Sequence, residues 1–185
     1  MNPISIYSSI TLAAVASAGV LLSACAGAPM TAPAAAPDVP SAIKVADGEK
    51  MSFAWHAVGS QVYECRADAK GAMAWTFVAP GADLFDGRGA KAGTHGAGPH
   101  WAAADGSKTF GTVKARAPGE DAADIAWLLL AAKPEGAGRM AAVTSVQRIH
   151  TRGGNASAAG CTQAADAGKR LKQPYTADYV FFVAK

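Results

Sequence analysis

From residue 51 onward, short apolar runs alternate with turn signals. In residues 60–66, Val62 and Glu64 alternate with Tyr63 and Cys65, a period of two that predicts a strand with one buried face. Residues 51–57 and 73–78 also read as strands, the second following the turn at residues 67–71. Pro80-Gly81 and Asp86-Gly87 mark further breaks. The clearest hairpin sets residues 100–104 against 108–115 around Asp105-Gly106-Ser107, because Asp-Gly supplies the positive φ of tight hairpin turns. Residues 125–132 are too apolar for a half-exposed strand and fit a short buried helix as well. Lys133-Pro134-Glu135-Gly136, with residues 140–150 behind it, predicts a second hairpin. Residues 175–184 are aromatic and β-branched, the best strand composition in the chain. Only residues 161–172 look helical. Together these elements predict an all-β domain, a mainly antiparallel sandwich or barrel of about eight to ten strands, with a short helix near the C-terminal third.

The N-terminus departs from this pattern. Residues 10–24 carry no charge and are dominated by Ala, Val and Leu. An apolar run of about 7–15 residues ending in small ones is a secretory leader, whereas a membrane-spanning helix needs about 20. The run closes on Leu22-Ser23-Ala24-Cys25, which resembles the lipobox of bacterial lipoproteins. That resemblance implies a signal peptide over residues 1–24, removed so that a lipidated Cys25 begins the mature chain. The expected location is the bacterial cell envelope, with the membrane as partner through the lipid. Ala26 after the cysteine, rather than Asp, resembles lipoproteins passed to the outer membrane, here facing the periplasm. One usual element is missing: residues 1–9 contain no Lys or Arg. Residues 25–40, the cysteine and an Ala/Pro-rich tract, cannot bury enough surface to fold and read as a tether. A single domain over residues 41–185 follows, packing from near Val39.

Composition narrows the function. The formal charge is +3, only 17% of residues are charged, and no basic stripe exists, so nucleic-acid binding has no support. With Cys25 lipidated, Cys65 and Cys161 remain. An even pair in an oxidising compartment reads as one disulfide, with two buried free thiols as the alternative. Neither lies in a C-x-x-C, which removes support for a redox or zinc site.

The most unusual chemistry lies in residues 87–107. Gly93-Thr94-His95-Gly96-Ala97-Gly98-Pro99-His100-Trp101 concentrates Gly, His and Trp beyond what a hairpin requires. His95 and His100 with Asp86 or Asp105 form a possible metal or catalytic group, although their spacing fits no established ligand pattern. A buried His95 bonded to a backbone carbonyl is the simpler reading. Arg148 and Arg152 flank His150 beside Gly153-Gly154, an arrangement that suits either an anion-binding loop or a surface salt bridge. No nucleophile elbow, phosphate loop or dinucleotide fingerprint is present, and no cofactor is implied.

Several segments, in order, carry a resemblance. They are Gln61-Val62-Tyr63-Glu64-Cys65, Trp75 with Pro80, Gly93-Thr94-His95 with Gly98-Pro99 and Trp101, and Asp105-Gly106-Ser107. Ala126-Trp127-Leu128-Leu129-Leu130, Gln147-Arg148 with Thr151 and Gly153-Gly154, Cys161, and Tyr175-Thr176-Ala177-Asp178-Tyr179 follow. This chain resembles the DUF3455 family over nearly the whole domain, departing from it at His100, where Thr is common. The resemblance implies a β-rich domain with Cys65 paired to Cys161, and no reaction. The leading expectation is therefore a non-enzymatic, lipid-anchored β domain that binds a small molecule, a glycan or an envelope partner near His95, His100 and Trp101. The alternatives are an envelope hydrolase or metal-dependent enzyme using His95 with Asp86 and Asp105, and a purely structural lipoprotein.

Overall fold

A computed structural model describes residues 35–185. The proposed leader, Cys25 and the tether up to residue 34 lie outside the described residues. Eight strands follow one another: β1 (Glu49–Ala67), β2 (Met73–Phe85), β3 (Lys91–Gly96), β4 (His100–Ala103), β5 (Lys108–Ala117), β6 (Trp127–Glu135), β7 (Val143–Gly153) and β8 (Arg170–Ala184). Each pairs antiparallel with the next, and β1 closes on β8, giving a barrel rather than a sandwich. Closure gives every strand a neighbour on each side over at least part of its length, and eight strands leave an interior that side chains fill or that holds one small ligand.

Apolar residues form two clusters because some strands are buried on both faces. Inside the barrel, Trp55, Trp101, Leu130, Val146, Tyr179 and Phe181 pack together. Outside it, Val39 and Ile43 of the segment entering β1 lie against Leu129, Ile149, Val180 and Phe182. A 3-10 turn, Ser41–Ile43, seats this segment, and the Ile43 carbonyl accepts a 2.7 Å hydrogen bond from Gln147 Nε2. The two-sided burial accounts for the uninterrupted apolar runs. Leu128 and Leu130 face inward while Leu129 faces the outer cluster, so residues 125–132 need no helix: β6 spans most of them. Tyr179 and Phe181 face inward, Val180 and Phe182 outward, in the same way.

Two local expectations are corrected, and the glycine segment gains a definite place. Residues 161–172 form no α-helix. They contain a 3-10 turn, Ala164–Asp166, and then enter β8 at Arg170. Pro80-Gly81 does not break β2, because β3 pairs only with the stretch from Ala82 to Phe85. Pro80 pairs with Gln61 of β1 and has no strand on its other side, the edge position where a missing N–H costs little. The glycine segment is a strand: β3 runs through Gly93 and His95 and pairs with β4. Cys65, near the end of β1, is bonded to Cys161, with Cα atoms 5.5 Å apart.

Candidate functional site

The short β3 and β4, six and four residues long, leave the barrel wall low on one side. There the first half of β2 has no β3 partner, and β5 beyond Phe110 has no β4 partner. A cavity of about 530 Å³ opens in this gap, within the range typical of small-molecule sites. Phe77 and Val78 of β2 and Val113 of β5 form its mouth and remain exposed, Phe77 by half. Gly98 and Pro99 of the β3–β4 turn also line it. A hydrogen bond of 2.9 Å from Gly111 N to Pro99 O holds that turn to β5. Gly111 has no substitute here, since a Cβ would sit 2.8 Å from the Trp101 ring.

Register carries the polar residues inward. Arg116 opposes Leu128, Leu128 opposes Arg148, Arg148 opposes Tyr179, and Tyr179 opposes Trp55. Directly opposed residues share a face. This row therefore crosses five strands on the interior side, which Leu128, Tyr179 and Trp55 identify through the inner cluster. Gln61, Tyr63, His95, Trp101 and Arg148 all line the cavity. Arg148 donates through Nε and Nη2 to Ala126 O at 3.1 and 2.8 Å, which fixes its guanidinium. Tyr63 donates to Gly154 O at 2.7 Å. The Tyr175 and Tyr179 hydroxyls lie 3.3 Å apart, and burial pushes both phenol pKa values up, so they stay neutral.

His95 is the most constrained of the set. Its Nδ1 bonds His100 O at 2.8 Å, and since a carbonyl only accepts, Nδ1 carries the proton. The ring stacks on Trp101 with centroids 4.8 Å apart and tilts against Tyr179 at 4.9 Å. Burial lowers its pKa to about 4, opposed by the His100 hydrogen bond and helped by the nearby Arg148 charge. The neutral ring thus keeps its Nε2 lone pair. Two fully enclosed donors in the cavity wall, Gln61 Nε2 and Trp101 Nε1, have no partner. Gln61 is only 2% exposed.

Of the residues singled out in the sequence, His95, Trp101 and Arg148 meet in this cavity. His100, Asp86 and Asp105 do not line it. His100 Nδ1 bonds Ala97 O at 2.8 Å within the β3–β4 turn. Asp86 accepts from Arg88 N and Ala90 N, closing the β2–β3 turn. Asp105 accepts from the Ser107 N–H and hydroxyl and from Arg139 N. Those bonds hold both carboxyls below the usual carboxylate range, as turn anchors. Arg152 turns away from Arg148 and pairs with Glu120 at 2.7 Å. Among the described residues, no Asp or Glu lines the cavity and no group of His, Cys, Asp and Glu is arranged to hold a metal ion.

Sequence reasoning passed over Gln61, Phe77, Val113 and Arg116. Only Gln61 left a signal: it falls on the Tyr63/Cys65 face of the alternation in β1, a polar residue on a buried face. It also passed over an outer cluster in which Asp178 accepts from His56 at 2.8 Å and His150 at 3.0 Å. His150 adopts a φ of 48°, unusual for a side-chain-bearing residue.

Comparison with known proteins yields one family. The family described as "Protein of unknown function (DUF3455)" matches residues 46–183, which takes in all eight strands but for the last residue of β8. No curated protein and no solved structure matches the chain.

Proposed function

The chain belongs to the DUF3455 family, and on that premise we propose that its barrel is a non-enzymatic binding domain for a small, partly apolar molecule. The carrying observation is the open cavity of about 530 Å³, walled by aromatic rings and by buried donors that no protein group satisfies. Buried polar groups are nearly always paired, so unpartnered donors in the wall of a ligand-sized cavity support a binding role. The open gap between β2 and β5 supplies the route in.

A hydrolase has less support. Asp86 and Asp105 lie in turns outside the cavity, so His95 has no carboxylate to orient it there, and among the described residues no Ser, Thr or Cys lines the cavity. A glycan presents hydroxyls on every side, which suits this mostly apolar wall poorly. The proposed setting is the cell envelope, with the domain held by lipid on Cys25. The barrel exterior is consistent with a tethered domain in water. It carries the ion pairs of Glu64 with Arg66 and Arg170, whereas a membrane-spanning barrel is apolar outside.

The test uses N-phenyl-1-naphthylamine, an uncharged apolar fluorophore, on the domain beginning after Cys25. That unit contains every strand, both clusters and the disulfide. Saturable binding at one site is expected. Val113→Trp, which plugs the mouth from a partly exposed position, should weaken it at least tenfold while leaving the thermal midpoint in place. Absence of saturable binding, or equal binding by Val113→Trp, overturns the proposal.

A further inference from the structure

The cavity has cations and donors but no counter-ion. Arg148 projects from β7 on the interior row, half-buried, and its charge acts on Tyr63, His95, Tyr175 and Tyr179 around it. Among the described residues it pairs with no carboxylate. Arg116, one strand beyond Leu128 in the same row and also lining the cavity, has none either. The contrast with Arg152, which meets both Glu120 and Asp124, is direct. Arg116 is exposed at the rim, whereas Arg148 is half-buried, and a partly desolvated guanidinium without an anion is less well satisfied than one with it. The unpartnered atoms Gln61 Nε2 and Trp101 Nε1 are donors as well. Among these interior groups, His95 Nε2 supplies an acceptor lone pair.

From this imbalance we infer that the ligand is an amphiphilic carboxylic acid, bound as its anion with the carboxylate on Arg148 and the apolar body between Phe77, Val78, Val113 and Leu130. This rests on the binding role proposed above and specifies its ligand class. Carboxylate geometry matches the planar guanidinium, which Nε and Nη2 fix on Ala126 O and which also acts on the Tyr179 hydroxyl. Gln61, in the same wall, carries the unpartnered donor Nε2 behind the cavity surface. The tail region is apolar and partly open to solvent at the mouth, which suits a body longer than the head.

Decanoate and decan-1-ol share a chain and differ in the charged head. Each is titrated against the domain at pH 7.5 by displacement of N-phenyl-1-naphthylamine. The wild type should bind decanoate at least tenfold more tightly than decan-1-ol, and Arg148→Gln should bring that ratio near one, each ratio being referred to that variant's own fluorophore affinity. Arg148→Lys should keep part of the preference, and Arg116→Gln, away from the Ala126 anchor, should reduce it with little effect on folding. A wild-type ratio near one overturns the carboxylate inference and leaves the binding reading standing. A preference that survives Arg148→Gln overturns the role of Arg148. Failure of the fluorophore to bind the wild type overturns the binding reading itself.

Discussion

A histidine stacked on Trp101 and bonded through Nδ1–H to a carbonyl has no favourable place for a second proton. Its pKa of about 4 in the fold lies below the ordinary 6.5 because charging the ring would require solvation that the barrel interior does not supply. The unfolded chain takes up this proton as pH falls through about 6.5, and the folded chain does so only near 4. Stability contributed by the neutral ring is therefore fully present above about pH 6.5 and declines between pH 6.5 and 4, by on the order of 3 kcal/mol. Thermal midpoints should fall over that window in the wild type and flatten in His95→Gln. A parallel decline in His95→Gln would assign the effect to another group. Asp86, Asp105 and Asp166, held below the carboxylate range by their hydrogen bonds, act in a separate window below about pH 4. At this scale the candidate site was half legible. The concentration of Gly, His and Trp pointed to His95 and Trp101, and the basic run to Arg148. His100, Asp86 and Asp105 share the same neighbourhood in sequence, yet their polar atoms are committed to turns. Sequence shows residue types and not which hydrogen bonds have consumed them.

Strands buried on one face were legible, since alternation in β1 is a local property. Residues 125–132 stayed open between strand and helix, because β6 acquires its second apolar face from the 39–45 segment, far off in the chain; β8, buried on both faces likewise, was legible from its aromatic and β-branched composition. Pro80 misled in the same manner, because its tolerance in β2 depends on β3 being too short to reach it. The helical composition of residues 161–172 yielded to β8 pairing from Arg170 onward and to the disulfide that pins Cys161 to β1. Around that bond, Gly168 N donates to Cys65 O and Cys65 N to Lys169 O, so the connection into β8 is held to the same end of β1. The cysteines stand 96 residues apart. Opening a loop of this size by the pair Cys65→Ser and Cys161→Ser should lower stability by up to about 4–5 kcal/mol in the chain-entropy account. Urea denaturation measures it, and an unchanged midpoint would contradict it. Denatured but unreduced domain lacking Cys25 should likewise show no reactive thiol.

The molecule as a whole combines a closed barrel with a chain entering from outside its wall. Val39 is already buried against that wall, while Ala35, Ala36 and Asp38 before it are exposed or nearly so. Anchoring and folding should therefore separate. Cys25→Ala should move the protein from the membrane to the soluble fraction without changing the thermal midpoint of the domain. Retention on membranes would refute the lipid anchor. The order of strands and turns, the exported character expected of residues 1–25 and the all-β class came from local pattern, because period-two alternation, turn chemistry and apolar run length are read within a few residues. The cavity did not. Its mouth exists because two short strands leave β2 and β5 unpaired, and its charge exists because strand register sets Arg116, Leu128, Arg148, Tyr179 and Trp55 in one row. A one-residue slip of β7 would turn Arg148 to the opposite face and leave the composition unchanged. Only the closed sheet decides which side chains share an interior.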